Sequence, residues 1–486
     1  LSINLKAELI SSELYDTYYQ EFANNLLRED PLATLLQEGE CTWIGSNLVG
    51  VLQGERAEKE NDIDQLVCTL VLENGCVPCD LYDVIDSQLR IETFHTIPLL
   101  MGFLAYELLH TLELVPHTRN RFPSLIPSVY FGLYSTIYEI IEGKGVYRHS
   151  VNWTLDGKSL PPLLCDKSAK GPLPPPKATD SPSISLRLDN GEQLDKLLGS
   201  NFSRTGYIAA VKEIKNQIKR GEYYQINLSQ QLKFPLNEPR ETVLQRATRY
   251  NNAPRKGIIQ ARFGNSLDPS ALRDNQNTLI VSISPELFFE MHDGKIYCSP
   301  IKGTRKRSQN STKDYLLLED LLNSPKDNSE LSMIVDLVRN DLSRICSIGS
   351  VEVISHRATS SLEHVHHTYS TVAGTLLPGT CSREIIAALY PCGSITGAPK
   401  IASMKEIADL EGIERGPYCG AIGYWGSNHS AHFNVAIRTA TIFGTPENGS
   451  DLAVVNSGGG ITLNSDEESE YIETLHKLKS ILSLIL

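Results

Sequence analysis

The chain has 486 residues, 41% of them hydrophobic, which is enough for two or three ordinary domains or one large two-part fold. Its formal net charge of −13 argues against a nucleic-acid surface and against an anionic membrane as partner. A small anion held by a few placed cations stays compatible with that charge.

The first stretch, LSINLKAELISSELYDTYYQ, has no basic segment followed by an apolar core, so no signal peptide is expected. No apolar run approaches the ~18–20 residues of a membrane span. A cytoplasmic protein is the simplest expectation. Further along, CTWIGSNLVGVL reads as a pair of strands around Gly45-Ser46-Asn47. Cys76 and Cys79 form a lone C-x-x-C. A zinc site needs a second pair or suitably spaced histidines, so a turn with two thiols in a reducing compartment is expected. SVYFGLYSTIYEI reads as a strand, being rich in aromatic and β-branched residues.

Residues 161–190 open on a Pro-, Ser- and Lys-rich stretch without an apolar period, and they read as a linker. The expected division is an N-terminal region 1–160, this linker, and a C-terminal region 191–486. In the latter, TGYIAAVKEIKNQIKRGE predicts an amphipathic helix with Tyr207, Val211, Ile214 and Ile218 on one face and Gly221 as its stop. YYQINLSQQLKF alternates as a strand, and TLIVSIS, LFFEM and KIYCSP follow as others. Strands and helices in this mixed order, joined by hairpin signals, predict an antiparallel α+β domain.

Asp293-Gly294 between LFFEM and KIYCSP is a two-residue hairpin signal. If His292 faces Lys295, Glu286 faces Ile301, beside Lys302. Strict alternation then points Glu286 and Lys302 to opposite faces. A one-residue bulge, or a bend at Pro300 or Gly303, is needed to bring them together. One reading of the pair is an ordinary cross-strand ion pair. The other is a carboxyl acid/base beside a nucleophilic amine.

In KDNSELSMIVDLVRNDLSRI, Glu330 shares a helix face with Met333, Ile334, Leu337 and Asp341. A carboxylate on an apolar stripe needs a cation or a donor. It serves either the helix N-terminus or a metal. HVHH, residues 364–367, raises the question of metal, but strand alternation favours His367 as a hydrogen-bonding residue. Thr396, Tyr418 and Arg438 are candidate partners for a ligand's carboxylate or hydroxyl. Arg438 in an apolar run needs a carboxylate, which a ligand would supply. Gly458, Gly459 and Gly460 let backbone N–H groups approach an anion. The last helix carries Tyr471, Leu475, Leu478 and Leu482 on its apolar stripe, with Glu470, Glu473 and Lys477 on another face. These acids are either a solvated first turn or, with Glu330, hard oxygen ligands suited to Mg²⁺.

SNFSRTGYIAAVKEIKNQIKRGEYYQINLSQ, SPE, PIKGT, ELSMIVDLVRNDL, GSITGAPK, YCGAIGYW, AIRTA and SEYIETLHK occur in one order. In that order the chain resembles the chorismate-utilising enzymes, in particular the synthase component of anthranilate and aminodeoxychorismate synthases. The resemblance is strong over about 195–486 and looser before it. It implies two packed, mainly antiparallel sheets flanked by helices. Within the family, Lys302 in PIKGT is similar to the aminodeoxychorismate synthases, where anthranilate synthases carry Ala. Gln225 stands where water-adding members carry a general-base Lys. The resemblance implies Mg²⁺ at Glu330 and Glu473 with Glu470 nearby, gripping the ring carboxylate of chorismate. It implies that Glu286 protonates the departing C4 hydroxyl and Lys302 attacks C2. Gly303, Thr304, His367, Thr396, Tyr418, Arg438, Gly458, Gly459, Gly460 and Lys477 would then line the substrate site. It also implies a separate glutamine amidotransferase subunit as ammonia source, since no G-x-C-x-G segment is present. Two departures stand out: Cys392 in PCGS where the family has PGGS, and Leu-Leu-Gln-Glu where feedback-regulated anthranilate synthases carry Leu-Leu-Glu-Ser at their tryptophan site.

Overall fold

The computed structural model describes residues 1–11, 16–57, 63–72, 75–93, 96–113, 115, 117, 126–142, 144–163, 199–251, 253–263, 277–361, 365–444 and 451–486. From residue 164 on, the expected linker lies outside the described residues, as does His364. Among the described residues, strands join into one hydrogen-bonded network whose pairings are antiparallel, flanked by helices. The fold is α+β, as expected, though the sheet layers are continuous rather than separate. Both ends of the chain build it. Thr34–Glu38 pairs with Arg255–Arg262, and Pro98–Leu104 pairs with Ala421–Gly426.

The helices follow from local signals. Ser203 accepts the Gly206 N–H and starts Arg204–Lys219, whose Tyr207, Val211 and Ile214 are buried. The chain leaves that helix at Gly221, where φ is +82° and a side chain would be strained. Asp466 accepts the Ser469 N–H and starts Glu467–Ile485, with Glu467, Glu468 and Glu470 in the first turn against the positive end of the helix. Tyr471, Leu475, Leu478 and Leu482 bury its stripe in one apolar cluster with Tyr207, Ile214 and Leu228. Full burial of each aliphatic stabilises by about 1.5–3 kcal/mol. A second cluster carries Phe103, Phe289, Trp425 and Phe433, with the Phe289 and Phe433 rings stacked 5.2 Å apart. No helix among the described residues is long and apolar enough to cross a membrane.

Three readings of the sequence are corrected. CTWIGSNLVGVL is one strand, Cys41–Ala57, with a register shift at Leu48/Gly50. Asn47 takes φ +54° within it, and Asp30 Oδ2 accepts from the Asn47 N–H at 2.6 Å and from Ser46 Oγ at 2.9 Å. A partner carboxylate thus holds Asn47 in the left-handed region inside a continuous strand, just before its register shifts. Cys76 and Cys79 lie in the strand Gly75–Cys79, paired with Gln65–Leu72 rather than in a turn. Pro78 is tolerated because that is this strand's one described pairing. The buried stripe of Pro325–Ser343 is Leu331, Ile334, Val335, Val338, Asp341 and Leu342. Of the residues expected on the face of Glu330, Ile334 and Asp341 are buried, whereas Met333 and Leu337 are half-buried, so Glu330 lies at the edge of the stripe.

Candidate active site

The hairpin Leu287–His292/Lys295–Ser299 turns at Asp293 and Gly294, with φ of +52° and +71° as a type I′ turn requires. His292 faces Lys295, but a register shift between Leu287 and Glu290 sets Leu287 opposite Ser299. A second irregularity follows in Ile301–Lys306. Lys302 pairs with Thr368 and Thr304 with His367, leaving Gly303 as the extra residue at φ +79°. A Cβ on Gly303 would lie 2.8 Å from Leu321 Cδ1. These bulges supply the break in alternation that Glu286 and Lys302 need to share a face.

Their meeting point is Ser394, in the short turn Gly393–Ile395. Lys302 Nζ donates to the Ser394 carbonyl at 3.3 Å. Glu286 is 4% exposed, and burial raises its carboxyl above the usual range, opposed by the Ser394 hydroxyl, Lys302 and the Ile301 N–H. The floor is glycine. A Cβ on Gly460 would sit 2.6 Å from Gln225 Nε2 and 3.4 Å from Lys302 Nζ, and one on Gly459 would sit 3.1 Å from Glu470 Oε2. Gly458–Gly460 lie in the strand Leu452–Ile461, paired with Gln225–Pro235, so they are not a free anion loop. Their function here is to leave room above the strand.

Buried polar atoms without a hydrogen-bond partner collect at this floor and its walls: Glu286 Oε1, Glu330 Oε1, Gln225 Oε1 and Nε2, and His367 Nε2. Such atoms occur elsewhere in the chain too, but here several line one space, which a ligand or water would complete. His367 Nδ1 and Thr304 Oγ1 are 2.9 Å apart. Burial, with Arg438 nearby, pushes the imidazole down to about 4, so it is neutral at physiological pH. Arg438 adopts φ +51°, and burial lowers its guanidinium from the ordinary value. No carboxylate among the described residues forms an ion pair with it.

The acids arrange around a lysine. Lys326 Nζ lies 3.9 Å from Glu330 Oε1 and 3.4 Å from Glu470 Oε1. Burial raises the Glu330 carboxyl, with Lys302 and Lys326 pulling it back. Glu470 also accepts from Ser465 Oγ at 2.6 Å. Glu473 is half exposed and 2.8 Å from Lys477, whose charge holds its carboxyl below the usual range despite partial burial. Lys477 also donates to the Gly458 carbonyl at 2.9 Å. The donor set is hard oxygen, with an orphan on Glu330 and a half-exposed lysine between the acids. It fits Mg²⁺, which takes few carboxylates and keeps several waters.

Lys326→Met removes that competing cation. Because Lys326 is 43% exposed, its pairing is discounted to roughly 0.5–1 kcal/mol. Mg²⁺ binding to the ligand-free chain, read by calorimetry, is expected to tighten by about two- to fivefold.

Two expected residues do other work. Thr396 is fully buried, its hydroxyl donating to the Cys392 and Gly393 carbonyls, so it shapes the Ser394 turn. Tyr418 is buried beside Arg415 and Cys419, and burial raises its phenol. Sequence reasoning missed Ser394, Lys326 and a brace behind the floor. Arg415, 1% exposed, donates to Glu411 at 2.6 and 2.9 Å and to the Asn227 and Ile395 carbonyls. Glu411 in turn accepts from the N–H and hydroxyl of Ser229. The charges four apart around Gly412 were the available signal, but they look like any exposed helix pair.

Residues 55–483 match the family model described as chorismate binding enzyme, and the chain belongs to that family. Among relatives, the aminodeoxychorismate synthase component 1 of Salmonella typhimurium is 30% identical over 411 residues, 83% of this chain and 82% of that protein. The anthranilate synthase component 1 of Saccharolobus solfataricus is 33% identical over 297 residues, 61% of this chain. That match spans 66% of the archaeal protein, just short of two thirds. The solved structure of MenF, the menaquinone-specific isochorismate synthase of Escherichia coli, superposes with a TM-score of 0.68 at 15% identity, covering 100% of this chain and 95% of that one. That likeness is one of fold.

Proposed function

We propose that the chain is the synthase component of an aminodeoxychorismate synthase, aminating chorismate at C4 with ammonia from a separate glutamine amidotransferase subunit. The observation that carries this reading is the placement of the Lys302 amine between the Ser394 carbonyl, Gly460 and the buried Glu286 carboxyl. The Nζ lone pair forms a bond to C2, both ring double bonds shift along the ring toward C4, and the C4–O bond breaks. Glu286, whose carboxyl burial raises, gives its proton so that the hydroxyl leaves as water. Ammonia then bonds to C4, both double bonds shift back, and the C2–N bond to Lys302 breaks. The Glu286 carboxylate takes up the proton that the incoming nitrogen releases.

Glu330 and Glu473, with Glu470 beside them, would hold Mg²⁺, which when bound supplies a Lewis-acid clamp on the ring carboxylate. Arg438 would pair with the substrate's other carboxylate in a bidentate contact. His367 Nε2, Gln225, Gly303, Thr304 and Lys477 would position the ring and its hydroxyl, and Tyr418 and Thr396 would support that wall from behind.

Anthranilate synthase is the second reading, since relatives bearing that name match at comparable identity. Incubation of the chain with chorismate, ammonia and Mg²⁺, followed by mass spectrometry and chromatography of the product, separates the two. 4-Amino-4-deoxychorismate is the expected product; anthranilate would overturn the proposal.

A further inference from the structure

We propose that Asp64, His110 and His117 form a binding site for one divalent transition-metal ion of the zinc class, built apart from the acidic cluster of Glu330, Glu470 and Glu473. One carboxylate oxygen and one nitrogen from each imidazole all lie within 4.8 Å of one another. His117 Nε2 is 3.4 Å from Asp64 Oδ1. Ligand atoms held tetrahedrally at ~2 Å from a zinc ion lie about 3.3 Å apart. The Asp64–His117 pair already stands at that spacing, and the His110 ring, nearly parallel to that of His117, has to turn to bring its nitrogen onto the same ion.

The surroundings are those of a ligand set. Asp64 and His110 are 4% and 6% exposed, and their backbones are joined by the Asp64 N–H to His110 carbonyl bond at 2.9 Å. His110 Nδ1 is 3.2 Å from the Val115 carbonyl, which can only accept, so Nδ1 carries the proton. That leaves the Nε2 lone pair bare, the arrangement in which metal-bound histidines are held. The two rings stack at 4.6 Å, with an interplanar angle of 23°. Asp64 divides its oxygens. Oδ1 faces His117, and Oδ2 lies 3.6 Å from Arg56 Nε. Arg56 in turn pairs with Glu414 at 2.7 Å, so two carboxylates share its charge. Two imidazoles and one carboxylate suit a borderline ion, whereas Mg²⁺ prefers oxygen alone. His110 also shares the short helix Tyr106–Thr111 with Glu107, whose carboxylate accepts from the Arg415 and Gly416 N–H groups. An ion here would therefore clamp the same support that braces the active-site floor.

The test titrates the full chain, stripped by chelation and kept in saturating Mg²⁺, with Co²⁺. One equivalent is expected to bind with the intense visible absorption of four- or five-coordinate Co²⁺, and Zn²⁺ should bleach it. His117→Ala, at a position 35% exposed and so tolerant of change, is expected to weaken binding by roughly 10–100-fold or more. His110→Gln should do the same, and Glu330→Gln should titrate as the unaltered chain does. The proposal fails if the unaltered chain shows no such band, if His117→Ala titrates identically, or if Glu330→Gln abolishes the band.

Discussion

Lys302→Ala is expected to lower the rate of C4 amination by roughly 10⁴-fold or more, the scale on which removing a covalent nucleophile acts. At 1.36 kcal/mol per decade that is about 5 kcal/mol of barrier. The loss should fall on kcat rather than on substrate affinity. The amine's one hydrogen bond in the structure is to the Ser394 carbonyl, and the substrate carboxylates are assigned to Arg438 and the acidic cluster. Truncation also opens space above Gly460, so ammonia gains a direct approach to C2, and some ortho product is expected. Two readouts check this: the product mixture by chromatography, and the intact mass of the unaltered chain quenched during turnover, which should show an adduct on the Lys302 peptide. Unchanged C4 amination in the variant would remove the covalent role altogether.

The parts of this fold that could be read from the sequence are those decided locally. Ser203, Asp466 and Gly221 begin and end their helices by interactions within a few residues. The Asp293-Gly294 turn is likewise a property of two residues. The bulges at Leu287/Glu290 and Gly303 were legible only as a need, because their partners are remote. Gly303 takes its left-handed backbone against Leu321 and Asp327, and its register is set by the strand Val365–Thr375. Asn47 misled for the same reason, since Asp30, seventeen residues away, supplies the acceptor that holds its left-handed backbone within the strand. The strand Gln225–Pro235 was expected to alternate, yet it is buried on both faces through most of its length. Its polar residues face other buried polar groups, Ser229 toward Glu411 and Gln230 toward Thr474. Nothing short-range announces the pairing of Thr34–Glu38 with Arg255–Arg262, which joins the two ends of the chain. Glu330 and Arg438 were legible because a charge in an apolar run needs a reason, whereas Lys326 and the Arg415–Glu411 pair look like ordinary helix charges. Ser394 was not legible either, since its contribution is a backbone carbonyl and a hydroxyl in an ordinary turn.

Glu286→Gln is expected to slow amination by roughly 10²–10⁴-fold, the range for a positioned general acid. Glutamine keeps the shape and can still meet the Ser394 hydroxyl, but it has no proton to give the departing oxygen. The unaltered chain should reveal the acid by its pH profile. Burial raises the Glu286 carboxyl, so the proton it must donate is present at lower pH and is lost as pH rises through the raised value. The Lys302 amine must also be uncharged to attack, so the Glu286 limb is read from the ratio of adduct-formation rates of the unaltered chain and Glu286→Gln, which should fall with a slope of one proton as pH rises through that value. In Glu286→Gln that limb should disappear from the residual rate, while Mg²⁺ affinity, which we propose rests on Glu330, Glu470 and Glu473, stays where it was. A variant that keeps both the rate and the alkaline limb would show that the proton comes from elsewhere and would leave Glu286 a structural partner of Lys302.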